Sequence, residues 1–240
     1  IINGFKENKY EVILCRVDPR KYSGLSKFIE LFREFRKLKE RNFDYVIVGF
    51  PGHPVVWMAR ILFGRKIIFD AFVSLFNSNV HDRNLYSRFS FLAMKDWLLD
   101  FYSCHLSYQI LLDTRSHINF FVNKFHININ KFIMVPISAD ERIFFPRRDK
   151  KHIEIFTVSF HGSYIPLQGV NFIVDSAILL KNEKIKFRFI GGEKMHKYIL
   201  DKIREHSLNN IELLEKVEFS HVPYELSKAD ICLGIFGVTD

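Results

Sequence analysis

Short apolar runs alternate with amphipathic stretches along almost the whole chain. Residues 11–17 (EVILCRV), 44–50 (DYVIVGF), 66–70 (KIIFD), 108–113 (YQILLD) and 131–137 (KFIMVPI) read as strands. Their near-continuous hydrophobicity fits burial on both faces, as in a parallel sheet. Residues 24–40 place Phe28, Leu31, Phe32, Phe35 and Leu38 on one helical face, and further helices are predicted over 55–63, 87–105 and 114–125. Residues 145–151 (FPRRDKK) combine a proline with a charge cluster and read as an interdomain linker. The alternation then restarts, with strands at 152–160, 186–192, 211–217 and 229–236 and helices at 169–181, 194–206 and 223–228. Two strand–helix series predict an α/β chain of two doubly wound Rossmann-like domains, residues 1–146 and 152–240. The first series lacks a leading strand with a glycine-rich turn. The second offers four strands where five or six are common. Both domains are therefore expected to be cut.

Loops at the carboxyl ends of parallel strands carry function in such folds, and three of them hold candidate chemistry. The loop 161–169 (HGSYIPLQG) joins a strand to a helix; Gly162 and Gly169 permit close backbone approach, and the helix N-terminus presents unpaired N–H groups to a diphosphate. A purely structural turn is the competing reading. The spacing is neither GxGxxG nor a P-loop, which weakens oxidoreductase and kinase readings. Asp70 ends a buried strand, where a carboxylate can orient an acceptor hydroxyl or take its proton, or simply cap the following turn. His53, in GFPGHP, can bind a sugar hydroxyl or serve as a turn residue, and Ser74 lies beyond Asp70 as a companion. Asp113 and Thr114 read as a helix start rather than as catalytic groups.

Charge and composition narrow the classes. Residues 1–150 carry 24 Lys+Arg against 15 Asp+Glu, whereas residues 151–240 carry 11 against 12. The basic first half suits an anionic lipid, an anionic substrate or plain solvation. No helix-turn-helix, zinc finger or RNP-like strand is visible, which argues against nucleic acid. Cys15, Cys104 and Cys232 are widely spaced and read as buried free thiols. The histidines lack metal-ligand spacing, so no metal site is expected. The apolar stretch 45–64 is interrupted by Pro51, His53, Pro54 and Arg60 and is not read as a membrane span.

The run FTVSFHGSYIPLQGVNFIVDSAILL, then FRFIGG, then VEFSHVPYELSKADICLGIFG, resembles the donor-binding domain of family 4 glycosyltransferases of the GT-B fold. In the first half GFPGHPVV, IIFDAFVSLFNS, ILLDTRSHINFF and FIMVPISADERIFFP resemble acceptor-domain motifs of a bacterial subgroup, in the right order. The resemblance implies transfer of a sugar from a nucleotide-diphosphate sugar to a saccharide or lipid-linked acceptor in cell-surface polysaccharide synthesis. It further implies retention of configuration, with no obligatory metal or cofactor, in the cytoplasm or at the inner face of the plasma membrane. By it, Gly162, Ser163, Gln168 and Gly169 border the diphosphate, Gly191 and Gly192 lie near the nucleotide, and Phe236, Gly237, Val238 and Thr239 begin a loop toward base or sugar. Asp70 takes the catalytic position, with His53 and Ser74 on the acceptor side. Many relatives carry Arg after the first glycine and Lys before the second, where this chain has Ser163 and Gln168. The Glu-x7-Glu segment that holds donor sugar and ribose is expected beyond residue 240, and the chain as given is expected to be inactive. A non-catalytic scaffold that has lost its phosphate-binding cations is the alternative, and a GT-B-like epimerase a third reading. Helix 24–40, with Lys27, Arg33, Arg36, Lys37 and Lys39 around its stripe, can lie on an anionic bilayer or pack by that stripe onto the sheet.

Overall fold

The computed structural model describes residues 2–18, 20–64, 66–145, 155–192 and 196–237. The chain divides into two compact units, Ile1–Leu75 with Met94–Pro136, and Phe76–Ala93 with Ile137–Asp240.

The first unit is built on a parallel four-stranded sheet of β1 (Val46–Val48), β2 (Ile67–Phe72), β3 (Gln109–Leu112) and β4 (Phe132–Met134), in that spatial order. Registers run Val46 to Ile67, Phe69 to Ile110 and Leu111 to Ile133. Helices α1 (Ile2–Glu7), α2 (Gly24–Leu38), α3 (Val56–Phe63), α4 (Leu75–Asn77), α5 (Phe91–Leu106) and α6 (Arg115–Phe125) complete this half of the chain. A π-helical turn, Ser78–Asp82, follows α4 in the chain and lies in the stretch Phe76–Ala93 that belongs to the second unit. Most of the stripe of α2 packs inward, Phe35 buried and Phe28 and Leu31 against the core of Val48, Ile67, Phe69, Ile110 and Phe121, while Phe32 stays exposed. Thr114 caps α6, its hydroxyl accepting from the His117 amide at 3.2 Å, as a helix-start reading requires. At the other end of α5, the Lys131 ammonium donates to the Cys104 and His105 carbonyls at 2.8 and 3.0 Å.

The second unit holds β5 (Phe156–Gly162), β6 (Ile185–Gly191), β7 (Ile211–Leu214) and β8 (Ile231–Leu233), all parallel, in the order β7-β6-β5-β8. Helices α7 (Val170–Leu179), α8 (His196–His206) and α9 (Val222–Ser227) alternate with them. Val158, Phe160, Tyr164, Ile173, Phe187 and Phe189 anchor its core. Asp230 ties β8 to β5 twice: its carboxylate accepts from the Thr157 amide and its own amide donates to the Thr157 carbonyl, both at 2.7 Å.

Three expectations change. Residues 11–17 form no strand; they run as coil with Ile13 and Leu14 exposed, because strand propensity has no effect without a neighbour to pair with. The strand expected over 131–137 shortens to Phe132–Met134 ahead of Pro136, and that expected over 229–236 to Ile231–Leu233. The linker expected over 145–151 lies, but for Phe145, outside the described residues.

Candidate functional site

The strand order of the second sheet reverses at β5: β6 and β7 lie to one side of it and β8 to the other. Open α/β sheets take ligands at such a reversal, outside the carboxyl ends of the strands. Here the chain supplies glycines. Gly169, at φ 61°, ends the short 3-10 turn Pro166–Gln168 and caps α7. A Cβ there would fall 2.5 Å from the Gly237 nitrogen and 2.6 Å from the Phe236 carbonyl carbon. The exit of β8 is thus laid on this loop: the Gly237 amide donates to the Leu167 carbonyl at 2.9 Å and the Phe236 amide to the Gln168 carbonyl at 3.4 Å. Gly162 faces Gly191 across β5 and β6, and a Cβ on Gly191 would lie 2.9 Å from the Gly162 carbonyl oxygen. Gly192, at φ 73°, lies against the Tyr164 ring.

The polar side chains of this loop are neutral. Gln168 accepts from the Ile165 amide at 3.2 Å, and its side-chain amide lies over Gly162, 2.7–2.9 Å from where a Cβ would stand. Ser163 is exposed. Tyr164 sits at φ 55° with 1% exposure, and its hydroxyl has no hydrogen-bond partner among the described residues; burial pushes its pKa upward. Arg188 is committed elsewhere, to Glu212 at 3.2 Å and Glu225 at 2.6 Å. Burial pushes both carboxyls up, but Lys186 and Arg188 on Glu212, and Lys228 and Arg188 on Glu225, outweigh it and hold both below the usual range. Gly162, Ser163, Gln168, Gly169, Gly191, Gly192, Phe236 and Gly237 therefore share one edge of one sheet, while Val238 and Thr239 lie outside the described residues.

In the first unit, Asp70 lies on β2 opposite Leu111, half-buried, and its carboxylate makes no hydrogen bond or ion pair to a described residue. The ladder slips between Asp70 and Phe72, Phe72 takes φ 58°, and the Val73 amide reaches back to the Ala71 carbonyl at 2.6 Å. Such a turn persists only where neighbours over-determine it. Asp100, on α5 and fully buried, supplies that hold: it accepts from the Ser74 hydroxyl at 2.7 Å and the Leu75 amide at 3.0 Å. His53 Nε2 lies 3.1 Å from Asp100 Oδ1, close but not aligned for a hydrogen bond, and the Ser103 hydroxyl donates to the His53 carbonyl at 3.0 Å. His53 is 1% exposed and Ser74 4%, so both serve here to seat Asp100 and the turn, and neither presents itself to an acceptor hydroxyl. Asp100 was missed in the sequence, although an aspartate amid the apolar run of α5 is a signal of a buried polar contact.

Burial raises the Asp70 carboxyl above the ordinary aspartate range. A raised folded-state pKa favours the folded protein below the ordinary value, and that contribution is lost as pH rises through the raised one. Asp70→Asn is accordingly expected to raise Tm at neutral pH, and the gain should vanish in acid, where wild-type Asp70 is itself neutral. Thermal unfolding across that range checks it; equal gains at both ends would mean that charge is not the cause.

No family model matches the sequence, and no curated protein matches it. Solved structures do. The chain is similar to HepE of Anabaena, solved with UDP and glucose, with a TM-score of 0.64 at 10% identity over 88% of this chain. It is similar to the pneumococcal O-GlcNAc transferase GtfA, solved with UDP and GlcNAc, at 0.63 and 14% over 91%. It is also similar to WaaG, a glycosyltransferase involved in lipopolysaccharide biosynthesis, at 0.59 and 13% over 92%. The chain spans 57%, 42% and 61% of the lengths of these three structures. At such identities the likeness is one of fold, the GT-B fold with its two Rossmann-like units. Among the described residues no helix is long and apolar enough to cross a membrane, and no group of three or more His, Cys, Asp or Glu could hold a metal ion.

Proposed function

We propose that the chain is part of a glycosyltransferase that moves a sugar from a nucleotide-diphosphate sugar to a saccharide or lipid-linked acceptor in cell-surface polysaccharide synthesis, with retention of configuration. The observation that carries the proposal is the reversal of the second sheet, where Gly162, Gly169, Gly191 and Gly237 let the exits of β5, β6 and β8 close on one another beside the start of α7. The diphosphate lies on the loop 162–169 and the first amides of α7, which have no carbonyl partner within the helix. With Ser163 and Gln168 in place of cations, backbone N–H groups and the helix dipole stabilise its charge. Asp70 receives the acceptor proton or orients the acceptor hydroxyl, and its half-buried, raised carboxyl suits a base. Neither a metal nor a cofactor is part of the reading. The enzyme works in the cytoplasm, at the inner face of the plasma membrane.

Calorimetric titration with UDP, GDP, dTDP and their sugar conjugates tests the reading. One nucleotide is expected to bind saturably, and the binding to disappear when Gly162 is replaced by valine. A second reading, a scaffold without catalysis, is favoured by one observation, the neutral pair Ser163 and Gln168. A folded full-length protein that binds none of the nucleotides removes the transferase and leaves the scaffold.

A further inference from the structure

His53 and Ser74 are buried, yet the carboxyl ends of β1 and β2 carry two exposed rings. Phe50 lies in the loop after β1 and Phe72 closes β2, 40 and 39% exposed. Their ring centroids stand 5.3 Å apart, with the planes tilted by 51°. Burial alternates along the end of β2: Ala71 is fully buried, and Asp70 and Phe72 on either side of it are half-buried and exposed. The rings thus share a strand end with a carboxylate that makes no bond to a described residue.

This exposure is built into the fold. Phe72 sits at φ 58°, a left-handed backbone that residues with a Cβ rarely adopt. Asp100 fixes the turn that follows, through the Ser74 hydroxyl and the Leu75 amide. The Phe50 ring meets the His53 ring edge-on at 6.0 Å, and His53 meets Phe69 in the same way at 4.7 Å. The Ser103 hydroxyl donates to the His53 carbonyl at 3.0 Å and secures that support. A strained residue held by buried partners, with its ring turned to solvent, points to a site rather than to packing.

The chemistry of the surface selects its ligand. An aromatic face is electron-rich and takes up C–H groups that carry partial positive charge. A carboxylate beside it accepts from hydroxyl groups. A pyranose offers both together, a face of C–H bonds and a rim of hydroxyls. An alkyl chain would desolvate the Asp70 carboxylate and donate nothing to it, and a nucleotide would set its phosphates against that charge.

We infer that Phe50 and Phe72 form a stacking platform for a pyranose ring, with Asp70 accepting from one of its hydroxyl groups. On the transferase reading that ring belongs to the acceptor; this last clause rests on that reading, the platform does not.

Saturation-transfer NMR tests it, with the methyl glycosides of glucose, galactose, mannose and N-acetylglucosamine as probes. At least one is expected to bind, with transfer concentrated on the C–H protons of one ring face. Phe50→Leu and Phe72→Leu keep the apolar bulk and lose the ring, and each should weaken binding about fivefold or more, whereas Phe72→Tyr should retain it. Asp70→Ala should weaken it as well, by removing the acceptor. Tm should hold within about 2 °C in the leucine variants. Phe72→Asn should lose the glycoside without lowering Tm, because asparagine tolerates the left-handed backbone. Phe89→Leu with Phe91→Leu, at rings 84 and 74% exposed, should change nothing. The inference is overturned if no glycoside binds, if the leucine variants or Asp70→Ala bind as wild type does, or if the Phe89 and Phe91 pair abolishes binding instead. It is overturned equally if Phe72→Asn lowers Tm, which would make the ring a packing element. Glycoside binding without nucleotide binding keeps the platform and removes the transferase clause; nucleotide binding without glycoside binding removes only the platform.

Discussion

Replacing Asp100 with alanine is expected to cost about 3–5 kcal/mol of stability, because it strips the partner from several buried groups at once. The buried Ser74 hydroxyl and the part-buried Leu75 amide would lose their acceptor, and the buried His53 its close neighbour. For a chain of this size that loss lowers Tm by on the order of 10 °C. Asp100→Asn keeps the shape and one acceptor oxygen, and should cost less than half as much. The local consequence is as specific as the global one: the turn after β2, with Phe72 at φ 58°, loses the contacts that hold it. Hydrogen exchange at the Leu75 amide should accelerate in Asp100→Asn while amides of β3 stay protected. Denaturant unfolding and exchange measure both effects, and an alanine variant within about 1 kcal/mol of wild type, inside the usual range of surface substitutions and errors, would show that the network is not what secures this edge.

Gly169→Ala should damage the second unit and its ligand site together. The backbone there is left-handed, which costs a residue with a Cβ about 1–2 kcal/mol, and the added carbon would meet the Gly237 nitrogen and Phe236 carbonyl carbon at 2.5–2.6 Å. Those are backbone atoms, so relief requires moving either the exit of β8 or the start of α7. Destabilisation of about 2 kcal/mol or more follows, with nucleotide binding lost at concentrations that saturate the wild type. Gly234 is the control: nothing lies within 4 Å of a Cβ there, and its alanine variant should fold and bind normally. A Gly169→Ala protein with unaltered nucleotide affinity would mean that the loop 162–169 is only a turn.

Much of the architecture was legible because a two-sided parallel sheet writes itself into the sequence. The runs that became β2 and β3 are largely apolar, those that became β5 and β6 alternate apolar with polar residues, all are bounded by turn residues, and the helices between them carry their stripes at helical spacing. The loop 161–169 could be singled out as a candidate because glycines after a strand and before a helix imply close backbone approach. Helix starts were readable where a side chain makes the cap, as Thr114 does for α6. Residues 11–17 have the same apolar character as true strands and still form none, since a strand exists only where another offers it hydrogen bonds.

The sequence by itself therefore determined what local chemistry can determine: the alternation of strands and helices, the parallel α/β class, and the glycine turns at strand ends. Only the tertiary structure decided which strand β5 would have on each side, and hence that the loops of Gly169 and Gly237, some seventy residues apart in the chain, would form one edge. It also decided that His53 and Ser74 would turn inward onto Asp100, and that Phe89 and Phe91 would face solvent while Phe28 and Phe35 went to the core. The physical reason is the same in each case. Periodicity and capping act within a few residues, whereas pairing order, burial and the partner of a buried charge are set by contacts between segments far apart in sequence.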